Sequence, residues 1–106
     1  MNAYLFLSGA IIFEVIGTLL LPVTQNFSKI LPSVILTSSY ILSFYFLTFA
    51  IKKIPLSIVY ASWAGIGVLL IAILGYFFYK QALSWQAILG LILIVTGVIL
   101  VNLYKT

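Results

Sequence analysis

One residue in this chain is placed to do acid–base chemistry inside a membrane. Glu14 is the only acid among 106 residues, and the chain has no His, no Cys and no Arg. It lies within an apolar run, where a lone carboxyl costs about 2.5–3.5 kcal/mol on insertion scales, so its presence points to function. A carboxyl there can carry a proton, and once ionised it attracts an organic cation. A site that holds one or the other, but not both, is sufficient for exchange.

Other residues fall in patterns that suit such a site. Leu7, Ala10, Glu14, Gly17 and Thr18 share one helical face at spacings of three and four. The small ones leave room beside the carboxyl for a ligand or a neighbouring helix. Thr37, Tyr40, Ser43, Phe44 and Thr48 form a second stripe, either the wall of a wet cavity or a set of interhelical hydrogen bonds. Tyr60, Trp63 and Gly67 form a third. Trp usually sits in the interfacial belt, so Trp63 in mid-span suits a cation-binding aromatic face, and a Tyr hydroxyl there suits a bond to Glu14. Gly65 and Gly67 remove two side chains from the middle of the same run, which suits a bend or a close contact. Gly90 and Gly97, seven apart, give the last run a small-residue face for helix association, an oligomer contact.

The elements that position these residues are four apolar runs. The spacing predicts helices over about Tyr4 to Leu21, Leu31 to Ile51, Leu56 to Tyr79 and Trp85 to Tyr104. Each approaches the ~20 residues that cross ~30 Å of hydrocarbon. Pro22 is expected to end the first, and Pro32 sits in the first turn of the second, where its missing N–H costs nothing. The connections are short. The expected fold is an all-α integral membrane protein, one four-helix transmembrane domain with both termini on one side. The first run lacks a basic leader and its core holds Glu14, so it is expected to stay in the mature protein.

Composition narrows the function further. Residues are 65% hydrophobic and 6% charged, against roughly 25% charged in a soluble domain. The net charge of +4 comes from five lysines that lie between or beyond the spans, which reads as headgroup anchoring and not nucleic-acid binding. Lys52, Lys53 and Lys105 share one side, Lys29 and Lys80 the other. That weak bias suits copies inserted in either orientation as well as a single orientation set by Lys52 and Lys53. No nucleophile–base pair and no metal-ligand cluster is present, so neither an enzyme nor a cofactor is expected. A single four-helix chain makes a poor enclosed pathway. Two copies supply eight helices and two Glu14 side chains, and opposite insertion creates the inverted repeat that alternating-access carriers use.

The ordered set Glu14-Val15-Ile16-Gly17-Thr18, Tyr40 with Ser43-Phe44, Ile54-Pro55, Tyr60 to Gly67, Gly90, Gly97-Val98 and Asn102 resembles the small multidrug resistance family, in its quaternary-ammonium branch. The likeness covers essentially the whole chain. It implies a proton-coupled antiporter that exports bulky, often aromatic monovalent cations from the bacterial-type cytoplasmic (inner) membrane. It also implies an antiparallel, dual-topology homodimer in which paired glutamates bind protons and drug competitively.

Carried over by position, Glu14 couples and binds; Tyr40, Tyr60 and Trp63 line the site, with Tyr4, Leu7, Ala10, Thr18, Ser43 and Phe44 around it. Gly65 and Gly67 match the flexible region of helix 3, and Gly90 and Gly97 the dimer contact. Departures stand at Pro22 and Val23, where a basic residue commonly closes helix 1, and at Val59 and Ser57, where Ala and Gly are usual. These suggest altered gating and a reshaped substrate range. Guanidinium, polyamine, choline or betaine transport, and service as one subunit of a heteromeric pair, are the alternatives.

Overall fold

The computed structural model describes residues 2–104, and these form four helices joined by short connections. Helix α1 spans Ala3–Thr24, α2 Ile30–Ala50, α3 Leu56–Tyr79 and α4 Trp85–Leu103. All four are long and apolar enough to cross a membrane, with mean hydropathy between 1.7 and 2.4. No strand occurs among the described residues. The chain is a multi-pass membrane protein.

Helix ends follow local chemistry. The Asn2 side chain caps α1 by accepting the Tyr4 N–H, and Ser84 caps α4 through the Ala87 N–H. Pro22 does not end α1 as expected: the helix runs one turn further, to Thr24, with the proline inside it. The proline leaves the Thr18 carbonyl without its helix bond, and Thr24 helps to close the end. Its hydroxyl donates to the Leu21 carbonyl and accepts the Phe27 N–H. Lys29, Lys52, Lys53 and Lys80 all lie at helix ends, so none stands beside Glu14 along its helix. Lys52 places its ammonium over the Phe49 ring at 4.9 Å. Lys105, counted with that side in the sequence, lies outside the described residues.

Helix α1 packs on both α2 and α3, while α4 packs mainly on α3. The core lies toward the α2–α3 connection, where Ala3, Leu7, Ile11 and Val15 meet Ala50, Ile54 and Val59. The opposite half, toward the α3–α4 connection, is more open. The chain measures 44 × 35 × 17 Å, a slab less than two helix diameters thick. Only Val98 of α4 is buried.

Candidate functional site

Glu14 stands near the middle of α1, partly buried, at the border between the packed and the open half. One carboxylate oxygen, Oε2, accepts the Thr18 hydroxyl at 2.7 Å from one helical turn away. Thr18 Oγ1 also lies 2.5 Å from the Tyr40 hydroxyl. A threonine has one hydroxyl proton, so when Thr18 donates to Glu14 the Tyr40 hydroxyl must donate to Thr18. The result is a relay from α2 through Thr18 to the carboxylate.

Two glycines make the relay possible. A Cβ on Gly17 would stand 2.8 Å from the Tyr40 ring, so the missing side chain lets that ring lie against α1. A Cβ on Gly67 would overlap Glu14 Oε1 outright. Helix α3 is thus notched where the carboxylate rests. The space beside Gly65 is filled in the same way by Val98, whose Cγ2 lies 2.5 Å from where a Cβ on Gly65 would stand. Helix α3 continues through both positions, so their immediate role is close approach.

The carboxylate faces a cavity of about 710 Å³ lined by Thr18, Tyr40, Trp63 and Gly67 around it, and by Gln81, Leu83 and Ala87 at the far end. A second, almost wholly apolar groove of about 520 Å³ lies between α3 and α4 but contains no acid.

Trp63 is oriented from behind. Its indole N–H donates to Ser43 Oγ at 3.0 Å, and the buried Ser43 hydroxyl donates to the Ala10 carbonyl at 2.7 Å. One chain of bonds therefore ties α3, α2 and α1 and fixes the indole. Phe44 and Tyr60 flank Trp63, with ring centroids 5.6 Å and 6.1 Å away.

The expected site residues are not all brought together. Glu14, Thr18, Tyr40, Trp63 and Gly67 converge. Tyr60 is 64% exposed and lies outside the cavity; the tyrosine that reaches Glu14, through Thr18, is Tyr40. Phe44 is likewise exposed, at 55%. Leu7 and Ala10 are buried outside this cavity, and Leu7 borders a separate one with Tyr4 and Ile11. Thr37 and Thr48 are exposed, and Thr48 bonds to the carbonyl of Tyr45 in its own helix. Tyr4 lies at the end of α1, where its hydroxyl donates to Asn102 Oδ1 at 3.0 Å while Asn102 Nδ2 donates to Ser62 Oγ at 2.8 Å. Sequence reasoning did not assign this junction of α1, α3 and α4; its signal was an amide near the end of an apolar span. Gly90 borders the cavity, and a Cβ on Gly90 or Gly97 meets nothing within 4 Å. Val59, a candidate for reshaping substrate range, is 1% exposed and belongs to the core.

Four apolar spans around a single hydrogen-bonded carboxyl and an adjoining cavity define a multi-pass membrane protein with an intramembrane acidic site. Residues 2–94 match the family model described as Small Multidrug Resistance protein. Over 103 residues the chain is 43% identical to the quaternary ammonium compound-resistance protein QacF of Klebsiella aerogenes, covering 97% of this chain and 94% of that protein. Identity and coverage are the same for the multidrug transporter EmrE of Escherichia coli (strain K12). The multidrug resistance protein EbrB of Bacillus licheniformis is 39% identical over 106 residues, 100% of this chain and 89% of that one. The chain belongs to the small multidrug resistance family, whose members are transporters and not enzymes.

Proposed function

We propose that this protein exports hydrophobic monovalent organic cations across a bacterial cytoplasmic membrane in exchange for protons, with Glu14 as the site both occupy. The observation that carries the reading is the partly buried Glu14 carboxylate, opening on a cavity with an indole and a phenol beside it. The names of QacF and EmrE supply the substrate class.

The hydrogen-bond relay suits two states. With Glu14 ionised, Tyr40 donates to Thr18 and Thr18 donates to the carboxylate. With Glu14 protonated, its hydroxyl can donate to Thr18, and Thr18 can donate to Tyr40. Rotation of hydroxyl groups accommodates either state without moving a helix. A bound cation takes the electrostatic role of the proton and gains contact with aromatic faces.

The active form in this reading is an antiparallel homodimer. A slab 17 Å thick leaves the cavity open on one face, and α4 offers a largely unburied side containing Gly90 and Gly97. The exposed Tyr60 and Phe44 rings beside Trp63 are then covered by the second copy or by substrate.

The test is proton-driven transport in proteoliposomes of the pure protein, with tetraphenylphosphonium, a small quaternary ammonium and guanidinium, and Glu14→Gln as control. Uptake of the bulky cations that is lost in the variant supports the reading. A response to guanidinium alone transfers the protein to small-cation export, and silence until an unlike family member is added makes it half of a pair.

A further inference from the structure

Two features near the loop-side end of α1 take no part in the scheme above: Pro22, inside the last turn of that helix, and Tyr79, the last residue of α3. They act on the same turn of backbone. Proline has no N–H, so position 22 gives the Thr18 carbonyl no helix hydrogen bond, and the pyrrolidine ring crowds that carbonyl. The next carbonyl along, that of Leu19, accepts the Tyr79 hydroxyl, a direct tie from α3 to α1.

The tie comes from a fixed point. Lys80 adopts a left-handed φ of 53°, and the N–H groups of Lys80 and Gln81 both return to the Gly75 carbonyl, which terminates α3 and holds Tyr79 in place. It lands one residue beyond Thr18, whose hydroxyl donates to Glu14 and meets Tyr40. The cavity that begins at Glu14 extends to Gln81, Leu83 and Ala87, at this same end of the molecule. A turn weakened by proline, adjoining the carboxylate's donor, is therefore tied to α3 by the Tyr79 phenol.

We propose that Tyr79 is a positioning residue for the Glu14 site: its hydroxyl holds the proline-interrupted turn of α1 against α3 and so sets Thr18 on the carboxylate. This rests on the reading of Glu14 as a cation site. Tyr79 touches no substrate in this scheme and acts through Leu19 and Thr18. The proposal also gives Pro22 a consequence. With an ordinary residue at position 22 the turn would carry its own bond to Thr18, and the tie would matter less.

The experiment compares Tyr79→Phe, Pro22→Ala and the double variant with wild type. Tyr76→Phe, at an exposed position one turn earlier on α3, is the control. Amide hydrogen exchange is followed for the purified full-length protein without ligand, and tetraphenylphosphonium affinity is measured on the same preparations. The expected result for Tyr79→Phe is faster exchange confined to the 18–24 segment of α1 and about tenfold weaker tetraphenylphosphonium binding. The double variant returns to within about twofold of Pro22→Ala alone, the non-additivity of two residues acting on one turn. Tyr76→Phe matches wild type in both readouts.

Unchanged exchange in Tyr79→Phe overturns the proposal, as does faster exchange spread over all four helices. Faster local exchange with unaltered cation affinity reduces the tie to a packing contact and also overturns it. Wild-type protein that binds no tetraphenylphosphonium removes the Glu14 reading itself. The exchange data, which need no ligand, then show separately whether the tie exists.

Discussion

The Glu14 carboxylate occupies the space that a Cβ on Gly67 would fill. An acid on α1 and an absent side chain on α3 are thus parts of one feature. Gly67→Ala is expected to push the carboxylate off its place, leaving the chain folded but weakening tetraphenylphosphonium binding by at least about tenfold, in line with displacing one charged contact. Isothermal titration against wild type measures this. The two-residue environment predicts that Gly67→Ala adds little to the loss already caused by Glu14→Gln.

The relay from Tyr40 through Thr18 makes a graded prediction. Thr18→Val removes the hydrogen bond to Glu14 directly and should cost more cation affinity than Tyr40→Phe, which removes only the bond behind it. Losses of about tenfold and about threefold are expected from the usual worth of such bonds. Equal losses, or the reverse order, contradict the relay.

Proton–cation competition fixes the sign of the pH dependence. Acidification loads the carboxyl with a proton, so tetraphenylphosphonium affinity falls as pH falls and rises toward a plateau as pH rises. The slope approaches tenfold per pH unit where one proton is displaced per cation. Binding titrations at a series of pH values check this, and residual binding by Glu14→Gln is expected to be flat.

Val59 separates stability from specificity. It is packed among Ala3, Leu7, Ile11, Ala50 and Ile54, away from the cavity. Val59→Ala leaves a hole there and is expected to cost about 1–2 kcal/mol, seen as a lower unfolding temperature in detergent. The rank order of transported cations should not change.

The helices and the acid are legible in the sequence because their signals are local. Long apolar runs, Pro32 and Pro55 near helix starts, and one carboxyl in hydrocarbon each speak without tertiary information. What the sequence withholds is which face of a helix meets which neighbour. Tyr40 and Tyr60 look alike as candidates, yet one reaches Thr18 and the other lies exposed beside Trp63. Gly65 and Gly67 suggest a bend or a close contact, and only the structure shows Val98 and Glu14 occupying their places. Pro22 suggests a helix end, but the final turn forms around it and closes on Thr24. The Tyr79–Leu19 tie has no sequence signal at all, since its acceptor is a backbone carbonyl.

The central claim is that a proton and an organic cation occupy Glu14 in turn, and proton release tests it without any assumption about transport. Tetraphenylphosphonium is added to the purified protein in weakly buffered solution at a series of starting pH values reaching down to where the carboxyl is protonated, and the pH is followed. The account predicts saturable acidification that tracks cation binding in wild type and is absent in Glu14→Gln. Cation binding with no proton release, or equal release from the variant, contradicts it.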